Sequence, residues 1–208
     1  ARDHYAKALR INPTFPRAHN NLANALARQG KSEEAIVHYT KALEIKPTFP
    51  KAHNNLGNVL ARQGKNQEAI AHYTKALQLK PDFAGAHNNL GNVLEGQGKI
   101  KEAVFHFSRA LELSPDFVEA HFNLGNALAR QGNMDQAQAH FIRALELNPT
   151  FAEAHNSLGV ILARKGRFAE AIDQFREALR LKPGFRQARV NLEIATREMG
   201  KEVGDSGR

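Results

Sequence analysis

Apolar and polar positions alternate along this chain with the period of a helix, and that helical pattern itself repeats. In residues 53–60, His53, Leu56, Gly57 and Leu60 share one face at about 100° per residue, with polar residues between them. The same arrangement returns every 34 residues: Gly30, Gly64, Gly98, Gly132, Gly166 and Gly200 keep that spacing, as do Pro13, Pro47, Pro81, Pro115, Pro149 and Pro183. Counting Pro16 as position one gives five full units, 16–49, 50–83, 84–117, 118–151 and 152–185. A partial unit at 1–15 holds a second helix only. At the other end, a capping helix is expected at 186–199 and a tail at 200–208.

Each unit predicts two helices, the first stopped by the recurrent Gly and the second by the recurrent Pro. Thr150 with Glu153, and Asp116 with Glu119, have the spacing of a capping box for the next first helix. Positions four, seven, eight and eleven form the expected core face. Gly or Ala at position eight and Ala at position twenty (Ala35, Ala69, Ala103, Ala137, Ala171) predict close approach of the two helices. The fold class that follows is all-α.

Composition removes several kinds of chemistry. The chain has no Cys, which excludes disulfides and thiolate nucleophiles without choosing a compartment. No apolar run reaches membrane-spanning length, and no secretory leader pattern opens the sequence. The net charge of +8 does not form one tract, since 84–117 and 118–151 each carry −1, so nucleic acid is not the expected partner. Ala1 is not an initiator Met, and the chain is expected to be a fragment of a longer one.

Ten His occupy two rows. His19, His53, His87, His121 and His155 stand at position four, and His4, His38, His72, His106 and His140 at position twenty-three. No His has another within four residues, so neither a metal site nor a cofactor is expected, and the rows read as structural. Buried neutral rings would make the array loosen on acidification near pH 6.

The opposite face of the first helix is not required for the core. Asn21, Asn55, Asn89 and Asn123 stand at position six, Asn24, Asn58, Asn92 and Asn126 at position nine, and Asn20, Asn54, Asn88 and Asn156 at position five. Asn is a mediocre helix former, so propensity does not account for three such rows. Its amide both donates and accepts, which matches the backbone of an extended peptide. The same amides can instead bond neighbouring helices and stabilise the stack. Arg28, Arg62 and Arg130 at position thirteen, with Arg164, either favour an acidic ligand or complement the helix dipole. Glu95 and Gly96 break this face in the third unit.

The period, with Leu56, Gly57, Ala69, Tyr73, Ala76 and Pro81 at set offsets, resembles the tetratricopeptide repeat over residues 1–200. His at position four and Leu at position eleven depart from the usual aromatics. The resemblance implies a right-handed superhelix, or α-solenoid, whose first helices line a concave groove that binds a protein or peptide segment. The phrase HNNLGNVL at 53–60 and 87–94 resembles the asparagine ladder of O-linked N-acetylglucosamine transferases. That implies peptide contacts at Asn21, Asn55, Asn89, Asn123 and their position-nine partners, broken at Ser157, Val160 and Ile194. The cations of the chaperone-binding carboxylate clamp are missing at positions five and six. The expected function is a non-catalytic interaction scaffold, with substrate recruitment for a larger glycosyltransferase as the alternative. Apolar surface around Tyr5 and Leu9 suggests self-association through the open N-terminal helix.

Overall fold

The structure, a computed structural model, describes residues 2–205, with side chains over residues 4–201. Twelve helices account for the described residues outside short turns. Two compact units divide the chain, Ala1–Leu113 and Ser114–Arg208. The first holds α1 (Arg2–Ile11), α2 (Pro16–Arg28), α3 (Ser32–Ile45), α4 (Pro50–Arg62), α5 (Asn66–Leu79), α6 (Ala84–Gly96) and α7 (Ile100–Leu113). The second holds α8 (Val118–Arg130), α9 (Met134–Leu147), α10 (Ala152–Arg164), α11 (Phe168–Leu181) and α12 (Arg186–Asp205). Within each unit, consecutive helices pack as pairs, and each pair also packs on the next. No helix among the described residues is long and apolar enough to cross a membrane.

Each first helix ends at its recurrent Gly, which takes the left-handed conformation with φ between 74° and 85°. The residue after that Gly donates its N–H back to the Leu carbonyl at position eleven, as in Lys65 to Leu60 at 3.0 Å and Arg167 to Leu162 at 3.0 Å. Exposed carbonyls at the helix end are thereby satisfied while the chain reverses. Gly200 is the exception. It has no positive φ, and α12 continues through it to Asp205 instead of stopping at 199. Position twenty of that unit is Asp205, where the full units have Ala. The small residue that lets a second helix fold back is missing. Residues 206–208 of the expected tail lie outside the described residues.

The helix starts differ from the expected capping boxes. Phe15, Phe49, Phe83, Phe117 and Phe151 occupy the N-cap positions, and none offers a side-chain cap. Thr150 lies one residue too early. Its N–H and hydroxyl bond to Asn148 Oδ1, and Glu153 pairs with Lys182 at 2.7 Å. Asp116 pairs with Arg143 at 2.7 Å instead of capping α8. Asx turns at Asn12 and Asn148 shape the entries to α2 and α10, and Pro stands at the first helical position of α2 and α4.

Burial extends beyond the expected face. The Ala residues at position three, Ala18, Ala52, Ala86, Ala120, Ala154 and Ala188, are all buried, as are Val59, Val93, Ala127 and Ile161 at position ten. First helices are sandwiched between their own second helix and the neighbouring repeat, so two stripes are apolar instead of one. Tyr5 and Leu9 of α1 are half-buried, and Ile11 is the exposed apolar residue there, at 86%.

The turn glycines are expected to be irreplaceable for backbone reasons alone, because a Cβ at Gly64 would meet nothing within 4 Å. Gly64→Ala is expected to cost about 1–2 kcal/mol in urea denaturation. Gly96→Ala, equally uncrowded and without a positive φ, is expected to cost nothing.

Candidate functional site

Position twenty-four carries a buried aromatic ring in every full unit: Tyr39, Tyr73, Phe107, Phe141 and Phe175. The ring lies on position eight of the paired first helix. A Cβ added to Gly91, Gly125 or Gly159 would stand 2.6 Å from a ring carbon, and one added to Gly57 would stand 2.7 Å from Tyr73. This contact sets the register of the two helices, and two polar constellations follow from it, one on each side of the ring.

The first constellation joins the two His rows. His19 Nδ1 faces His38 Nδ1 at 3.0 Å, and His53–His72, His87–His106 and His121–His140 repeat that distance. The position-four rings also bond through Nε2 to the carbonyls of Pro13, Pro47, Pro81 and Pro115 at 2.8–3.1 Å. A carbonyl only accepts, so Nε2 carries the proton and the neutral ring's Nδ1 is an acceptor. The second His then donates from its own Nδ1. In the fifth unit Gln174 replaces the second His and meets His155 at 2.8 Å. In α12, Arg189 takes the place of the first His and donates to the Pro183 carbonyl.

Burial lowers the pKa of His38, His72, His106 and His140, and the facing His lowers it further. Glu34, Glu68 and Glu102 oppose this at the first three. His53 and His87 are lowered chiefly by burial. The Pro carbonyls oppose that shift, Lys75 and Arg109 add to it, and Glu112 opposes it at His87.

The second constellation holds the candidate Asn rows. Tyr39 donates its hydroxyl to Asn24 Oδ1 at 2.6 Å, and Tyr73 donates to Asn58 Oδ1 at 2.8 Å. Burial pushes the Tyr39 hydroxyl up to about 12, although Arg62 and Arg28 act in the opposite direction. Asn55 donates to Asn20 Oδ1 at 3.2 Å and to Asn24 Oδ1 at 3.1 Å, and Asn89 donates to Asn54 Oδ1 at 3.0 Å. Asn20 and Asn54 in turn donate to Asn21 and Asn55. The compact unit Ser114–Arg208 keeps the pattern with Asn191 to Asn156 at 2.9 Å and Ser157 to Asn126 at 3.5 Å. Asn20, Asn54 and Asn88 at position five are buried. Rows five and six therefore link adjacent first helices.

Row nine differs. Tyr hydroxyls fill Asn24 Oδ1 and Asn58 Oδ1, and among the described residues the Nδ2 groups of Asn24 and Asn58 donate to no protein acceptor. A hollow of about 260 Å³ is lined by Asn24, Arg28, Tyr39, Asn55, Asn58 and Arg62, with Ala27 and Val59. One repeat further on, another of about 250 Å³ is lined by Asn58, Arg62, Tyr73, Asn89 and Asn92, with Ala61 and Val93. Asn21, Asn24, Asn55, Asn58 and Asn89 are half-buried, whereas Asn92, Arg28 and Arg62 are exposed. In the second unit, Asn123 and Asn126 are half-buried on α8 and Arg130 is exposed.

The paired His generate a pH dependence. Lowered pKa values mean that the folded rings bind protons less readily than the unfolded ones. For His38, His53, His72, His87, His106 and His140 the stabilisation is complete above the ordinary His pKa near 6.5 and is lost progressively as pH falls from there through their lowered folded values. The melting temperature is expected to drop by several degrees between pH 8 and pH 5.5, and a constant value would contradict this.

Comparison with known proteins matches this architecture. Tetratricopeptide-repeat family models match residues 4–37, then 23–64, 57–98 and 96–132, and finally 122–184. A search of curated proteins finds no match. Among solved structures, YrrB, described as a TPR protein with an unusual peptide-binding site, is 30% identical with a TM-score of 0.71. The match covers 90% of this chain and 97% of that one. The Cut9–Hcn1 hetero-tetramer of the APC/C gives a TM-score of 0.85 at 23% identity, over 93% of this chain and 38% of that one. A thermophilic TPR protein of Thermus thermophilus gives 0.68 at 23% identity, over 88% of this chain and 99% of that one. These last two share the fold. With the 34-residue period, the helix pairs and the matched family models in agreement, the chain belongs to the tetratricopeptide repeat family.

Proposed function

We propose that this protein-interaction scaffold binds an extended segment of a partner protein along the face of its first helices, with no catalysis of its own. The observation that carries this reading is the pair of hollows one repeat apart in the compact unit Ala1–Leu113. Their walls present amide donors from row nine and the guanidinium groups of Arg28 and Arg62. Neither Arg makes an ion pair among the described residues. An extended chain offers carbonyl acceptors at short regular intervals, and acidic side chains would meet the Arg groups. YrrB, whose description names a peptide-binding site, supports the reading by likeness. Each hydrogen bond is worth about 0.5–1.5 kcal/mol, so several together are needed for micromolar binding.

Row six is a poor place to test this, because Asn55 and Asn89 also hold neighbouring helices together. The better variant combines Arg28→Ala, Asn58→Ala and Arg62→Ala, three residues that line the hollow and make none of the inter-helix Asn–Asn bonds. Peptides selected from a displayed library on the intact chain are expected to bind this variant at least about tenfold more weakly, with its circular dichroism unchanged. Undiminished binding would place the interaction on another surface.

A further inference from the structure

We infer that the hollow where α2, α4 and the turn after α5 meet is an anchor site for a partner protein segment in which a large apolar side chain is flanked by Asp or Glu. The hollow measures about 540 Å³ and is lined by Arg17 and Asn21 of α2, by Phe49, Pro50 and Lys51 at the start of α4, and by Lys80 just past α5. It adds to the segment-binding face proposed above, and rests on that reading for its ligand being a protein chain. Phe49 immediately precedes α4 and Pro50 opens it, and both rings are only half-buried. The surface they offer is mostly apolar, and the long side chains of Arg17, Lys51 and Lys80 add hydrocarbon stems that end in charge.

No Asp or Glu lines the hollow, and Arg17, Lys51 and Lys80 are exposed and make no ion pair among the described residues. Lys80 Nζ stands 5.6 Å from the centroid of the Phe83 ring, a contact that does not neutralise its charge. A fourth cation, Lys46, lies 5.8 Å from the centroid of the Phe49 ring. An apolar side chain seated on Phe49 and Pro50 brings its neighbours in the ligand beside these cations, so acids there are attracted and Lys or Arg repelled. A bare anion or an uncharged ligand would use one half of this lining and not the other. The charge is not a by-product of the repeat. Position two is Gly85, Glu119 and Glu153 in the later repeats, and position thirty-one is Ser114 and Asn148 in the third and fourth. Lys182 recurs in the fifth, but there it pairs with Glu153 at 2.7 Å.

The probe is a fluorescent peptide of Asp, Glu and Ser with one central Phe, titrated by anisotropy against the intact chain. Saturable binding is expected, weaker by at least about tenfold when the Phe is replaced by Ala, and likewise when the acids are replaced by Asn and Gln. The variant Arg17→Glu, Lys51→Glu and Lys80→Ser is expected to lose at least about tenfold in affinity and to keep its helical circular dichroism, because this fold already carries Glu at position two and Ser at position thirty-one. The variant Arg28→Ala, Asn58→Ala and Arg62→Ala is expected to bind the probe within about threefold of the natural chain. Loss confined to that second variant would place the segment in the row-nine hollows, overturning this site while groove binding stands. Equal affinity for the Phe and Ala peptides, or for a single-stranded oligonucleotide of the same charge, would show a plain anion-binding surface and overturn the proposal, as would no binding at all.

Discussion

The repeat depends on one contact, an aromatic ring from each second helix lying on the first helix where a side chain is absent or minimal. Gly57, Gly91, Gly125 and Gly159 provide the space, and Ala23 takes that position in the first full repeat. A ring packed this closely allows one register between the helices. Position twenty-three is thereby brought opposite position four, which is why the two His rows meet at the same distance in four repeats. The outer end of the ring reaches position nine, so a Tyr there has an Asn to bond and a Phe does not.

That last difference divides the repeats chemically. The first two carry Tyr39 and Tyr73, whose hydroxyls fix the amides of Asn24 and Asn58 and leave their donor ends over the hollows. The remaining three carry Phe107, Phe141 and Phe175, so their position-nine residues lack this anchor. The core and the candidate Asn face are thus coupled through a single atom, the Tyr oxygen, although the packing of ring on glycine is the same with or without it.

Much of the architecture was legible because its signals are local. Gly30 and its counterparts mark helix ends through a backbone conformation, and the Leu row at position eleven is core in any helical reading. The His pairing was not legible by spacing along one helix, since the partners lie nineteen residues apart on two helices. The available signal was that both rows recur together on elements that must pack, with Gln174 breaking one row while His155 persists. The capping boxes expected at Thr150 and Asp116 fail because each helix starts one residue later, behind a Phe row that recurs with the same period. The candidate Asn face was half legible. Its rows were evident, but only the positions of neighbouring helices separate amides consumed by stacking, such as Asn55, from those left with donors to offer, such as Asn58.

The most direct measurement is a double-mutant cycle on the ring contact, with Gly91→Leu, Phe107→Ala and the pair compared by urea denaturation. Gly91→Leu alone forces atoms into the space of the Phe107 ring and is expected to cost about 1–3 kcal/mol, and Phe107→Ala alone about 3–5 kcal/mol. The double variant is expected to be more stable than their sum by at least about 1 kcal/mol, since the new side chain then occupies the vacated ring site. Costs that add to within about 0.5 kcal/mol would show that the two positions are independent and that this contact does not set the helix register.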